Sequence, residues 1–234
     1  MTPSDARPRE KLDLERFVRE RTIVAPVPLV PEVVIHQATE LTPLWRATAR
    51  ALEGWDPSPF WAFPWAGGQA LARFVLDRPA LVRGKAVFDF ASGSGLCAIA
   101  ALRAGAARAV AADLDPFCAA AIHLNASLNG VAVEFRAGDA IGAALDGFDV
   151  VLAGDVYYER ALAEGAHAWF RSAATRGVLV LAGDPGRIYS QLEGVLDRAV
   201  YDVPTTPEIE ASDRIRTLVL EILPWDPAPA PRPP

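Results

Sequence analysis

AVFDFASGSG, residues 86–95, runs from an apolar strand pattern through one acid, Asp89, into a turn of small residues holding Gly93 and Gly95. The apolar LCAIAALRAG follows at once and reads as a helix. A parallel strand carries a ligand at its C-terminal end, glycines let backbone approach it, and the next helix begins there with its N–H groups unpaired. The stretch therefore places a nucleotide-like site and asks which cofactor fills it.

Outward from this turn the pattern alternates. Strands are expected at 86–90, 108–113, 131–135, 148–153 and 177–182, with helices at 95–104, 116–129, 160–174 and 187–197 between or after them. Short apolar runs separated by helices imply a parallel sheet covered on both faces. AVYDVPT and RIRTLVLEIL follow with no helix expected between them, so they read as an antiparallel hairpin closing the sheet. The fold class is α/β: a doubly wound, mostly parallel, seven-stranded, Rossmann-like sheet with an antiparallel C-terminal strand and an N-terminal helical extension.

Upstream, residues 10–22 place Leu12, Leu14, Phe17 and Val18 among charges, as a short amphipathic helix does. VVIHQ from Val33 reads as a strand, and LTPLWRATARALEG from Leu41 as a helix with Pro43 in its first turn. In SPFWAFPWAGGQALARFVLD, Phe60, Trp61, Phe63 and Trp65 precede a Gly-Gly pair and a helix ending at Asp77. Pro59 and Pro64 make the aromatic part an extended loop. The chain divides into an extension at 1–59 packed on the core, a catalytic domain at 60–223 and a disordered proline-rich tail at 224–234.

The 234 residues are 51% hydrophobic and 22% charged with a formal charge of −6, enough to bury a full core and contrary to a basic nucleic-acid-binding surface. Cys97 and Cys118 both sit in apolar helical patterns and read as buried free thiols in a reducing compartment. His36, His123 and His167 are scattered, without the paired spacing of a zinc site. No apolar run approaches the roughly 18 residues of a membrane span. Acids alternate with bases through the first 22 residues, unlike a mitochondrial transit peptide. A cytoplasmic monomer is expected, with no nucleic-acid or membrane partner.

Gly93-x-Gly95-x-x-Ala98 also fits the dinucleotide fingerprint, with Asp113 as the acid about 20 residues on. Three acids narrow the choice. Asp89 at the end of the first strand would face a positive amino group, which a nicotinamide dinucleotide does not present there. Asp113 in AADLDP can accept both ribose hydroxyls, whereas Asp115, immediately before Pro116, is better placed as a helix cap. Asp139 and the Ala140 backbone suit an adenine edge, although Asp139 also reads as a turn residue after Gly138. Amine, ribose and adenine partners without a phosphate clamp describe a pocket for S-adenosylmethionine. The fourth strand then ends in VVLAGDVYYE, where Asp155 can hold an amine and Tyr157 and Tyr158 can line a channel for an alkyl stem. Asp155 also reads as a cap of the helix that follows. Methyl transfer is an in-line displacement, so positioning and loss of the amine proton are its main demands.

FWAFPWAGGQALARFVL, DFASGSG, AADLDP and GDVYYE together resemble the seven-β-strand methyltransferases, specifically the lysine methyltransferases of the electron transfer flavoprotein beta subunit, over roughly residues 25–223. The resemblance implies protein-lysine N-methylation with Asp155, Tyr157 and Tyr158 as catalytic residues on the substrate side. It implies a cofactor pocket with Trp65 as the ring beside the cofactor. The expected cofactor contacts are Trp65, Asp89, Ala91, Gly93, Gly95, Asp113, Leu114, Asp139, Ala140 and Ala153, and no metal is expected. The beta subunit is the implied protein substrate, with a ribosomal protein as a second candidate. Ala91 stands where the first glycine of G-x-G-x-G belongs, a mild change provided its φ is negative. Two other readings are a small-molecule amine N-methyltransferase and, from a different class, a nicotinamide-dependent oxidoreductase.

Overall fold

A computed structural model describes residues 13–51, 58–190 and 193–225, with side chains omitted at 41, 42 and 49–51. In chain order its elements are α1 (Leu14–Arg21), β1 (Ile23–Val27), β2 (Val30–Gln37), α2 (Leu41–Ala51), α3 (Ala66–Asp77), β3 (Ala86–Phe90), α4 (Leu96–Arg103), β4 (Arg108–Asp113), α5 (Pro116–Leu128), β5 (Glu134–Ala137), β6 (Val150–Gly154), α6 (Arg160–Thr175), β7 (Leu179–Asp184), β8 (Val195–Pro204), α7 (Pro207–Glu210) and β9 (Arg214–Ile222). Residues 10–12 of the first expected helix, the end of the second at Gly54, and 226–234 of the expected tail lie outside the described residues.

The seven-stranded sheet has the order β5-β4-β3-β6-β7-β9-β8. β9 runs antiparallel to both β7 and β8, and every other pairing is parallel. The order reverses between β3 and β6, which opens the crevice where an open α/β sheet binds its ligand. Alternation along β3 feeds two cores: Val87 packs with residues of α3, α4 and α5, while Phe88 and Phe90 pack with Trp169 and Phe170 of α6. Helices thus cover both faces, and Asp89 is left on the first face, 1% exposed.

The extension is mixed rather than helical. β1 and β2 form an antiparallel hairpin outside the main sheet, with Pro26 beside a register shift where the missing N–H costs no ladder bond. Val27, Val30, Val33 and Ile35 bury their side chains against Leu96, Ile99 and Ala100 of α4. Asn129 grips β2 through both the N–H and the C=O of Val34, at 3.1 and 2.6 Å. Asn125 accepts from the His36 amide and donates to the Ser94 carbonyl, both at 2.8 Å, so the hairpin is tied to the glycine turn.

Two expected elements differ. β5 begins at Glu134 rather than 131, because its register pairs Glu134 with Val110 and the Val131 amide is spent closing α5 on the Ala126 carbonyl. No helix forms among the described residues of 187–197: Asp184 accepts from the amides of Gly186 and Arg187 in a tight turn, and β8 already begins at Val195. The acceptor carboxylate, Pro185 and Gly186 favour that turn over a helix start. A four-residue helix, α7, also interrupts the expected β8–β9 hairpin. Pro224 and Trp225, the first residues of the expected tail, are held on α6: Arg171 donates to the Pro224 carbonyl at 2.9 Å and stacks on the Trp225 ring at 4.0 Å.

Candidate active site

A cavity of about 650 Å³ lies at the C-terminal ends of β3, β4 and β6, bounded by the aromatic loop before α3 and by Arg187. That size falls within the range of small-molecule sites. Its walls carry six carboxylates (Asp89, Asp113, Asp115, Asp139, Asp155 and Glu159) against one cation, Arg187. Such a wall repels the pyrophosphate of a dinucleotide and favours a cationic ligand. Trp61, also in the wall, has the one buried side-chain polar atom without a partner among the described residues, its indole N–H.

The glycine turn is built by its own acids. Asp89 accepts from the Ser92 hydroxyl at 2.5 Å and from the Ala98 amide at 3.0 Å. Burial pushes its carboxyl up to about 7, against the pull of those hydrogen bonds. Asp113 accepts from the Gly93 amide at 2.9 Å and the Asp115 amide at 3.0 Å, so β4 and the turn close on each other. Asp115 caps α5 through the Phe117 amide at 2.8 Å, as its place before Pro116 predicts, and burial raises its carboxyl to about 6. Asp139 is exposed and accepts from the Ile141 amide at 2.9 Å, the turn geometry that follows Gly138. Ala91 has φ +49, so the condition for a harmless alanine is not met and the site stores strain there.

Trp65, Asp89, Ala91, Gly93, Asp113, Leu114, Asp139 and Ala140 all line the cavity, with Leu114 65% exposed at its rim. Gly95 and Ala153 are not among the lining residues. Gly95 has φ +83 and caps α4, where a Cβ would lie 3.1 Å from Ile122, and Ala153 is buried in the α6-side core while its neighbour Gly154 reaches the cavity. Cys97 and Cys118 are buried free thiols and form part of the wall; burial raises both far above the usual thiol range.

The three substrate-side residues separate. Tyr158 lines the mouth, 47% exposed and edge-on to Phe60 at 5.5 Å. Tyr157 turns the other way into the α6-side core, 1% exposed, with its hydroxyl 3.4 Å from His167 Nδ1. Asp155 reaches the cavity, but not as the cap of α6, whose N-cap position is Glu159. Instead its Oδ2 accepts from the amides of Gly67 and Gly68 at the start of α3, and its Oδ1 accepts from Arg187 Nε at 2.9 Å and Nη2 at 2.6 Å. Its own φ of +57 is held by these bonds. Burial raises its carboxyl to about 6 and Arg187 opposes that rise.

Sequence reasoning missed Arg187 because it read residues 187–197 as a helix. The available signal was a repeated tetrapeptide: Leu-Ala-Gly-Asp ends both β6 (152–155) and β7 (181–184), and the turn after the second copy delivers Arg187 to the first.

A doubly wound sheet with this strand order and an acidic crevice lacking a phosphate clamp defines an S-adenosylmethionine-dependent methyltransferase. The ribosomal protein L11 methyltransferase (PrmA) family matches residues 70–183. The chain is 40% identical over 179 residues to the electron transfer flavoprotein beta subunit lysine methyltransferase of Danio rerio, covering 75% of this chain and 68% of that one. It is 38% identical over 179 residues to the protein of the same name from Homo sapiens, covering 75% and 67%. An RNA methyltransferase from Salinibacter ruber, solved with S-adenosyl-L-homocysteine, aligns with a TM-score of 0.49 at 20% identity over 69% of this chain and 94% of that one. The chain belongs to the electron transfer flavoprotein beta subunit lysine methyltransferase family.

Proposed function

We propose that this enzyme transfers methyl groups to lysine side chains of the electron transfer flavoprotein beta subunit. The single observation that carries the reading is the cavity wall: six carboxylates against one arginine, with Phe60 and Tyr158 framing an apolar mouth. The cofactor, when bound, supplies the methyl group on a sulfonium centre. Asp89, buried and without a cation partner among the described residues, takes the cofactor's ammonium group, Asp113 takes the ribose, and Asp139 with the Ala140 backbone takes the adenine. Trp65 is fixed beside them by a hydrogen bond from its indole N–H to the Phe60 carbonyl at 2.8 Å.

On the acceptor side, Phe60 and Tyr158 pack edge to face at 5.5 Å and together form one aromatic lip along which an unbranched alkyl stem lies. A lysine on a protein surface reaches such a mouth with its backbone outside. The enzyme's excess of acid favours a locally basic partner. Two buried free thiols support a reducing, cytoplasmic setting.

The test is to incubate a cell extract with enzyme and S-adenosylmethionine carrying a labelled methyl group. Label recovered as methyl-lysine in the flavoprotein beta subunit supports the reading. Label confined to small amines would replace it with the alternative acceptor class.

A further inference from the structure

Asp155, the buried acid on the acceptor side of the cavity, and Glu210 of α7 are already occupied. Arg187 is seated on Asp155 through Nε and Nη2 and on Glu210 through Nη1 at 2.8 Å and Nη2 at 2.7 Å. The Asp155 and Glu210 side chains are only 9% and 3% exposed, and Arg187 is 22% exposed with its guanidinium 5.9 Å from the Trp65 ring. The four hydrogen bonds on Asp155 use both of its oxygens twice. An entering amine therefore meets a compensated carboxylate.

We propose that Arg187 is a positioning residue for methyl transfer: by bridging Asp155 in the cavity wall and Glu210 of α7 it holds itself and Asp155 in place and leaves the entering amine no free buried carboxylate, among the described residues of the acceptor side, to hold it as an ammonium ion. A lysine attacks only through its nitrogen lone pair, so the amine must lose its proton to solvent before the nitrogen–methyl bond forms and the sulfur–methyl bond breaks. A bare Asp155 would retain that proton by pairing with the ammonium. The inference rests on the amine-acceptor reading above.

The charged and titratable groups around Arg187 come from every side. Asp155 immediately follows β6, Asp184 at the end of β7 accepts from the Arg187 amide, Glu210 belongs to α7, and Tyr158 and Glu159 come after Asp155 in the same cavity wall. Burial works against the Arg187 charge, but Glu210 and Asp155 more than offset it and hold its pKa up, so it stays a cation across the working range.

The experiment measures kcat against pH with the flavoprotein beta subunit as acceptor, for the wild type, R187Q, R187K and E210Q, with S-adenosylhomocysteine binding as the check on folding. R187Q should bind S-adenosylhomocysteine like the wild type and move the kcat inflection up by about one pH unit, corresponding to one partly screened charge. R187K should restore the wild-type inflection, and E210Q should move it down. Unchanged inflections in R187Q and E210Q, with kcat merely scaled, overturn the inference. Should R187Q fail to bind S-adenosylhomocysteine, E210Q decides: an inflection that does not move down is contradictory. Absence of transfer by the wild type overturns the acceptor reading and this inference with it, an outcome separate from shared profiles.

Discussion

Gly67 at the start of α3 and Gly183 at the end of β7 pack backbone to backbone, so closely that a Cβ on either would collide with the other's carbonyl oxygen. Gly154, paired with Gly183 in the sheet, adds a second contact, since a Cβ there would lie 2.8 Å from Gly68 Cα. This approach lets the first amides of α3 reach Asp155. Substituting Gly67→Ala or Gly183→Ala forces backbone to move and separates helix from sheet. A loss of about 3 kcal/mol or more is expected in urea unfolding, with the slope unchanged. Gly84→Ala, where φ is also positive but a Cβ meets nothing within 4 Å, should cost much less.

Ala91 offers the opposite test. With φ +49 it occupies a conformation that costs an L-residue roughly 1–2 kcal/mol. Glycine removes that strain and gives back part of it as unfolded-chain entropy, roughly 0.5–1 kcal/mol. Ala91→Gly should therefore raise the free energy of unfolding by up to about 1.5 kcal/mol, read as a higher urea midpoint; a loss of stability would show that the methyl group packs usefully at the turn.

Asp89 gives the site a pH signature. Its carboxyl sits at about 7 in the native protein against an ordinary value near 4, so between those values the native state binds the extra proton. Stability from this group is accordingly full at low pH and is lost as pH rises from about 4 to about 7. A ligand ammonium that pairs with the carboxylate must first displace that proton. Affinity for S-adenosylhomocysteine, followed by calorimetry, should climb by up to about tenfold per pH unit from pH 5 and level off above about 7. Asp89→Asn should flatten the profile and weaken binding; an equal slope in the variant would move the effect to another group.

Asn125 tests whether the extension serves the site. Buried completely, it joins the His36 amide of β2 to the Ser94 carbonyl of the glycine turn. Asn125→Ala strands two backbone groups at a cost of about 2–4 kcal/mol. It should also weaken S-adenosylhomocysteine binding at a temperature where the protein remains folded. Loss of stability with unchanged affinity would make the hairpin a support for the core alone.

The sheet and the cofactor side were legible in the sequence because each depends on local signals: apolar runs of strand length, an acid at each strand end, and glycines at positive φ. Asp115 as a cap followed from Pro116 in the same way. The acceptor side was less legible because its geometry is set at long range. Nothing local distinguishes Tyr157, which faces His167 in the core, from Tyr158, which faces the cavity. Asp155 binds groups 88 and 32 residues away in the chain, one at the start of α3 and one past β7. The aromatic loop divides likewise: Trp61 and Phe63 are almost fully buried while Phe60 is 39% exposed at the mouth.

The central claim is lysine methylation of the flavoprotein beta subunit, and intact-mass measurement of that purified subunit after incubation with enzyme and S-adenosylmethionine tests it most directly. The account predicts increments of one methylene each, located on lysine by peptide fragmentation and missing when S-adenosylmethionine is omitted. An unmodified subunit, from enzyme that demonstrably binds S-adenosylhomocysteine, would contradict it.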